Sequence, residues 1–444
     1  MALQRADNWK RPFFTIWTGQ ALSLTGSRIA MFALIWWLTE KTGSATVLAT
    51  ATLFAMLPQI VLGPLVGVYV DRWNRRITMI VADSLIALAA LGLAYLFWSG
   101  QIELWHVYAI MLFREIGGTF HWPAMQASTS LMVPDEHLAR VSGVNQAMMG
   151  ALNIVGPALG ALLLSIAAMH YIMLLDVATA ILATTPLYFV RIPQPERTLN
   201  GKAPGEKTSV RDDLREGLRY LLNWRGLLLL TMGVMVFKIA LTPAFSLLPL
   251  LVTDHFGGKA GELATLESAF GIGVILGGLL LGVWGGFKRN MLTTMLGVSM
   301  IGLMLILVGL IPANLFAVAV VLMFINGSSV ALTDGPLIAI LQKTIAPEMQ
   351  GRIFMLIGSL FSITSPIGLL FAGPITDWIG IQTWYVVAGL LISGFAVWAA
   401  CTPAIMRIED YVYEPAPADS RESDDSVPAG QTPPLPRREA AGGP

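Results

Sequence analysis

Charge is what this sequence has least of. Only 13% of its 444 residues are Asp, Glu, Lys or Arg, against about 25% in an ordinary soluble domain, while 55% are hydrophobic. A chain so composed cannot cover a globule with polar surface, which excludes a soluble fold. Cysteine is nearly missing too: Cys401 stands alone, which rules out an internal disulfide. The five histidines show no ligand spacing, so no metal or cofactor is expected, and no nucleic-acid partner either. No nucleophile constellation points to an enzyme. The piece "GKAPGEKT" has the wrong spacing for a phosphate-binding loop and follows no strand, so it is not an ATP site.

What is present are long apolar runs. Twelve reach the ~20 residues that a helix needs to cross a bilayer: 13–39, 46–70, 77–99, 104–132, 139–168, 170–190, 226–253, 261–286, 290–311, 314–343, 350–376 and 382–404. The start "MALQRADNWKRPFF" has no small-residue cleavage site after its first apolar segment, which predicts an uncleaved first helix. Positive loops stay cytoplasmic. One set of breaks holds Lys10, Arg11, Arg72, Arg75, Arg76, Arg140, Lys288, Arg289, Lys343 and Arg352, whereas "WSGQIE", "AAMHY", "IPAN" and "DWIGIQ" hold no Lys or Arg. Both termini are therefore expected inside.

The longest polar interruption divides the chain into 1–190, a linker at 191–225 and 226–404, with 405–444 as a tail rich in Pro, Ala, Ser and acids, expected to be disordered. In the linker, Val210, Leu214, Leu218, Leu221 and Leu222 share one helical face, and Ser209 with Asp212 resembles a capping box. That part is expected to lie on the membrane surface as an amphipathic helix. The flanking halves repeat each other. Pro123 lies eleven residues before Pro134 and Pro336 eleven before Pro347, and each second Pro opens an acid-then-Arg loop, "PDEHLAR" and "PEMQGR". The ends of the first and seventh spans match as "TEKTG" and "TDHFG". The expected fold is all-α and polytopic, two pseudo-symmetric six-helix bundles that rock about a midplane site.

Three motifs carry a resemblance to the major facilitator superfamily. "GVYVDRWNRR" between the second and third spans is similar to the family's signature loop, with Gly67, Asp71, Arg72, Arg75 and Arg76 in the signature places and Asn74 where Gly is usual; Asn also tolerates left-handed backbone. In the fourth span Arg114 and Gly118 resemble the Arg-x-x-x-Gly motif that the family associates with proton coupling. In the fifth, "GALNIVGPALGA" with Gly150, Gly156, Pro157 and Gly160 is similar to the Gly-Pro motif of its antiporters. More narrowly, "FHWPAMQAS" and "LMVPDEHLARVSG" look like the branch holding macrolide-efflux proteins and the enterobactin-type siderophore exporter. The resemblance implies a proton-coupled exporter of bulky amphiphilic molecules, a monomer in a bacterial cytoplasmic membrane.

Physical reasoning gives these motifs their own content. Asp71 lies one helical turn after Gly67 beside three Args, where it can close a salt-bridged latch between neighbouring helices, and Asp83, a turn or two further in, belongs with that cytoplasmic gate. Small residues in the fifth span admit a neighbouring backbone and Pro157 bends it, although plain packing explains them as well.

Each charge inside a span costs ~2.5 to 3.5 kcal/mol at the bilayer centre, so Arg28, Arg114, Glu115, Lys238 and Asp334 must be paired or wet. Adjacent helical residues point about 100° apart, so Arg114 and Glu115 reach different neighbours. The expectation is that Glu115 faces a cavity near Arg28 and carries the proton while Arg114 orients it. A static ion pair between the first and fourth spans is the plainer alternative. Asp334 is the rival acid, partnered by Lys238, and His121 holds its matching place before Pro123, more naturally in a neutral structural role. Trp17, Trp36, Trp37, Phe120, Trp122, Phe237 and Phe245 are expected to shape the cargo surface, although Trp36 and Trp37 near a helix end also suit interfacial anchors. Asp176, Glu267 and Asp377 fall toward the outer ends and call for little explanation. The alternatives to an exporter are a lysophospholipid flippase or symport importer on the same fold, and a non-transporting membrane sensor.

Overall fold

The structure is a computed structural model, and it describes residues 9–190, 192 and 210–410. Expectations for the N-terminal residues 1–8, most of the Pro-rich linker, the Ser209 cap and residues 411–444 lie outside the described residues. The chain runs α1 (Lys10–Thr42), α2 (Ala45–Arg72), α3 (Arg75–Ser99), α4 (Leu104–Met132), α5 (Asp135–Ile166) and α6 (Met169–Phe189). After the linker helix α7 (Val210–Asn223) come α8 (Arg225–Ser246), a single turn α9 (Leu248–Leu250), α10 (Ala260–Trp284), α11 (Asn290–Leu310), α12 (Phe316–Thr344), α13 (Pro347–Ile379), α14 (Ile381–Ala400) and the short α15 (Pro403–Met406). Twelve of these helices have 20 residues or more. Eleven are long and apolar enough to cross a membrane; α4, which carries Arg114 and Glu115, is outside that set.

The seventh apolar run is not one helix, contrary to expectation. Pro243 sits inside α8 and Pro249 opens α9, and a proline offers no N–H to the preceding turn. The chain therefore kinks at Leu247 and leaves through a wide turn at Leu251–His255, pinned where the His255 ring meets the Ile311 carbonyl at 2.8 Å. Residues 405–410 are not tail: Ile405 and Ile408 are buried, and the Glu409 carboxylate accepts from the Asn290 and Met291 N–H groups at the start of α11. A carboxylate there satisfies donors that the helix itself cannot. Asn74 needs no left-handed backbone. It caps α3 with φ −71°, accepting from the Ile77 N–H.

The duplication seen in the prolines is reproduced in the packing. In the first half α1 lies against α5 and α6, α2 against α4, and α3 against α4 and α6. Six helices later the same pairs recur: α8 with α13 and α14, α10 with α12, and α11 with α12 and α14. The halves meet along two seams that exchange under the same operation, α2 with α13 and α5 with α10. Pro123 and Pro336 occupy matching places inside α4 and α12, and Pro134 and Pro347 both start the helix that follows.

The seams differ at the end remote from the termini. On one, the Asp377 carboxylate of α13 accepts from the Ser44 hydroxyl at 3.0 Å and from the Ala45 and Thr46 N–H groups at 2.6 and 3.0 Å. Asp377 was expected to need little explanation; it caps α2 across the two halves. On the other seam a crevice of about 870 Å³ separates Ser165 of α5 from Gly261 and Thr265 of α10. Asp377→Ala is expected to lower stability by about 0.5–2 kcal/mol, the usual value of a lost N-cap, with Asp377→Asn keeping part of it. Thermal unfolding in detergent measures this. At the opposite end α7 docks on α13, where Arg352 pairs with Glu216 at 2.9 Å and the Gly217 backbone lies against the Arg352 carbonyl.

Candidate functional site

A polar network runs through the interior of the first half. The Gln20 amide of α1 donates to Asp83 of α3 at 3.0 Å, and its oxygen lies 2.8 Å from the His121 ring of α4. His121 and Asp83 approach to 3.2 Å, and all three side chains are buried. About two turns earlier on α4, Arg114 forms a buried ion pair with Asp176 of α6, which also accepts from the Ser27 hydroxyl at 2.9 Å. Buried charge survives only when paired and hydrogen-bonded, and these groups supply one another with partners. Asp83 thus holds α1, α3 and α4 together from within rather than standing among the residues of the α2–α3 loop. Asp176, expected to call for little explanation, is the counter-ion of Arg114.

That pairing redistributes the charges of α4. Arg114 points into the first half and Glu115 lies on another flank, half-buried, where the charges of both Arg114 and Arg28 act on it. Arg28 reaches a cavity of about 480 Å³ between the halves, lined by Gly150 and Asn153 of α5, Phe245 of α8, Glu267 and Phe270 of α10 and Met323 of α12. Its volume falls within the usual range for ligand pockets. The Gly-rich run of α5 builds this place. A β-carbon on Gly156 would meet the Arg28 Cβ at 2.8 Å, and one on Gly160 the Phe32 ring at 2.6 Å, so these glycines let α1 approach and set where Arg28 emerges. Pro157 is buried between them, and Gly150 turns instead to Ile275 of α10.

Glu267 is the residue that reasoning from sequence missed. It shares the cavity with Arg28, whose charge acts on it as on Glu115. In the second half Lys238 of α8 and Asp334 of α12 line a separate cavity of about 300 Å³ with Phe237, Phe354, Phe361 and Phe395, and the Lys238 charge acts on Asp334. The structure therefore brings Arg28 and Glu115 under one field and Lys238 and Asp334 into one pocket, and keeps the two groups apart. His121 and Asp334 match in the repeat but not in setting, one buried and the other exposed.

Of the expected aromatic lining, Phe245 faces the central cavity and Phe237 the cavity of Lys238 and Asp334, but Phe120 and Trp122 do not. Phe120 stacks on Trp73 at 5.7 Å and lines an apolar groove with Ile77, Val81, Leu85 and Ile116; Trp122 packs with the buried residues around Met125 and Leu152. Of the loop residues, Arg75 is buried and Arg76 donates to the Tyr188 carbonyl at 2.6 Å. Gly67, Asp71 and Arg72 lie in the last turns of α2, and their side chains are outside the described residues. Among the described residues no group of three or more His, Cys, Asp or Glu gathers as for a metal ion.

Comparison with known proteins places this architecture. The family model described as Major Facilitator Superfamily matches the chain twice, over residues 16–368 and 230–436. The chain is 37% identical over 395 residues to "Macrolide efflux protein A" of Streptococcus pyogenes, covering 89% of this chain and 96% of that one. It is 35% identical over 327 residues to the protein of the same name from Enterococcus faecalis, covering 74% and 100%. Among solved structures, a bacterial homologue of the iron transporter ferroportin in an inward-facing state superposes with a TM-score of 0.68 at 12% identity, covering 88% of this chain and 99% of that one.

Proposed function

Since the chain belongs to the Major Facilitator Superfamily and is a multi-pass membrane transporter, we propose that it is a proton-coupled antiporter exporting amphiphilic, macrolide-like molecules from a bacterial cytoplasm. The single observation that carries the coupling is the separation of the two charges of α4. Arg114 is spent on Asp176, which leaves Glu115, half-buried on another flank of α4, without a carboxylate's usual ion-pair partner among the described residues and within the fields of Arg114 and Arg28. A carboxyl in such a site exchanges a proton readily, because burial disfavours its charge and a mobile cation favours it. The placement of both termini in the cytoplasm is supported by the distribution of Lys and Arg, and the outward direction of transport by the names of the efflux relatives. Residues 1–190 and 226–404 act as the two rocking units, with the linker between them and the Gly67–Arg76 loop as the cytoplasmic gate of a monomer. Export of siderophore-like metabolites is the same chemistry with a different cargo.

The test is Glu115→Gln in inside-out vesicles with an imposed proton gradient. One charge moved through 100 mV releases ~2.3 kcal/mol, enough for roughly a fiftyfold cargo gradient. The variant is expected to fold, bind cargo and equilibrate it downhill, with the uphill ratio falling to about one. Undiminished uphill export would end the proposal.

A further inference from the structure

Two carboxylates lie within the field of one guanidinium, that of Arg28. Arg28 and Glu267 are the charged residues of the cavity lining, and Glu115 of α4, outside that lining, feels Arg114 first and Arg28 second. Arg114 is offset by Asp176, so with Glu115 and Glu267 both ionised against Arg28 the group carries one negative charge in excess. Beside it, the Phe245 and Phe270 rings pair with centroids 4.6 Å apart and planes inclined at 58°, and both line the cavity that holds Glu267. Aromatic faces attract cations by their quadrupole, most strongly where water is excluded. Acid and aromatic pair thus ask for the same ligand, while an anion finds there only Asn153 and Arg28 as polar partners that could welcome it.

We propose that Glu267, Phe245 and Phe270 form a binding subsite for the cationic head of a monocationic amphiphile, and that Arg28 occupies this subsite until the cargo displaces it toward Glu115. The proposal rests on the transport reading above and names its substrate class. It assigns the halves different tasks. The second half supplies the cation-binding acid, and the first supplies both the guanidinium that guards it and the carboxylate that receives the guanidinium. One surplus charge can be neutralised by a proton or by a cargo cation, and not by both.

The test uses the full chain in detergent and two ions of the same size and shape with opposite charge, tetraphenylphosphonium and tetraphenylborate, in equilibrium dialysis without any proton gradient. The wild type is expected to hold the cation at least about tenfold more tightly than the anion, the scale of one poorly screened charge. Glu267→Gln should remove most of that preference and Glu267→Asp restore part of it. Phe245→Leu should weaken the cation several-fold and leave the anion unchanged. A preference that survives Glu267→Gln, or equal losses for both ions, overturns the proposal. Because no gradient is applied, cation selectivity can stand where proton-driven export fails, and the reverse.

Discussion

Asp176→Ala is expected to lose about 3–5 kcal/mol of stability, the cost of leaving one member of a buried ion pair without its partner. Arg114 is almost fully enclosed and its guanidinium is directed at Asp176. Without that carboxylate the charge must either drag water into the bundle or unpack α4 from α6. Ser27 loses its acceptor in the same step, adding about 1 kcal/mol. Asp176 also acts electrostatically on Asp83, so the disturbance should reach the Gln20–Asp83–His121 network. Arg114→Met should cost a similar amount, since it leaves a buried carboxylate. The informative result is the double variant Arg114→Met/Asp176→Leu, expected to recover most of the loss, because well-packed apolar groups often replace a buried pair at little cost. A thermal unfolding cycle in detergent measures all four proteins. A single-variant loss under about 1 kcal/mol would mean that the pair is solvated.

The second large effect is expected where α10 and α12 touch backbone to backbone. A β-carbon on Gly273 would stand 2.1 Å from the Phe324 carbonyl oxygen, and one on Gly327 2.1 Å from that of Phe270. Neither obstacle is the tip of a flexible side chain, so the helices must part. Gly273→Ala and Gly327→Ala should each cost about 1–3 kcal/mol or more, the range for overpacking, and the double variant should fail to give folded protein. Gly278 and Gly282 on the same helix have nothing within 4 Å of the added carbon. Alanine there should be neutral or stabilising by up to about 1 kcal/mol, from helix propensity alone. Folded yield and unfolding temperature separate the two pairs of glycines, and equal behaviour would sink the close-contact reading.

The contrast between these positions shows what a sequence can and cannot display. Twelve apolar runs and a proline spacing repeated in both halves made the architecture legible, because span length and helix breaking are local properties. The break near Leu247 was legible too, in Pro243 and Pro249, but the unbroken hydrophobicity of the run concealed it. Partners across helices were not legible. Helical geometry says that Arg114 and Glu115 diverge, not that Arg114 finds an acid 62 residues away. Glu267 and Asp176 were misjudged on depth, although each stands seven residues inside its helix, about 10 Å from the end at 1.5 Å per residue. That arithmetic was available and would have put both at the level where charge needs an explanation.

The unequal seams have a consequence for how such a molecule would open. Parting α2 from α13 at the end remote from the termini breaks the three hydrogen bonds that Asp377 accepts. On the α5–α10 side the described polar tie is a long 3.4 Å bond from Ser268 to the Ile154 carbonyl, beside a crevice already present. A near-symmetric body fastened more firmly along one edge than along the other would swing like a door rather than part like a clam. The α2–α13 edge would then be the hinge side, and the first gap would open along α5 and α10, on the flank where Glu267 and Phe270 lie.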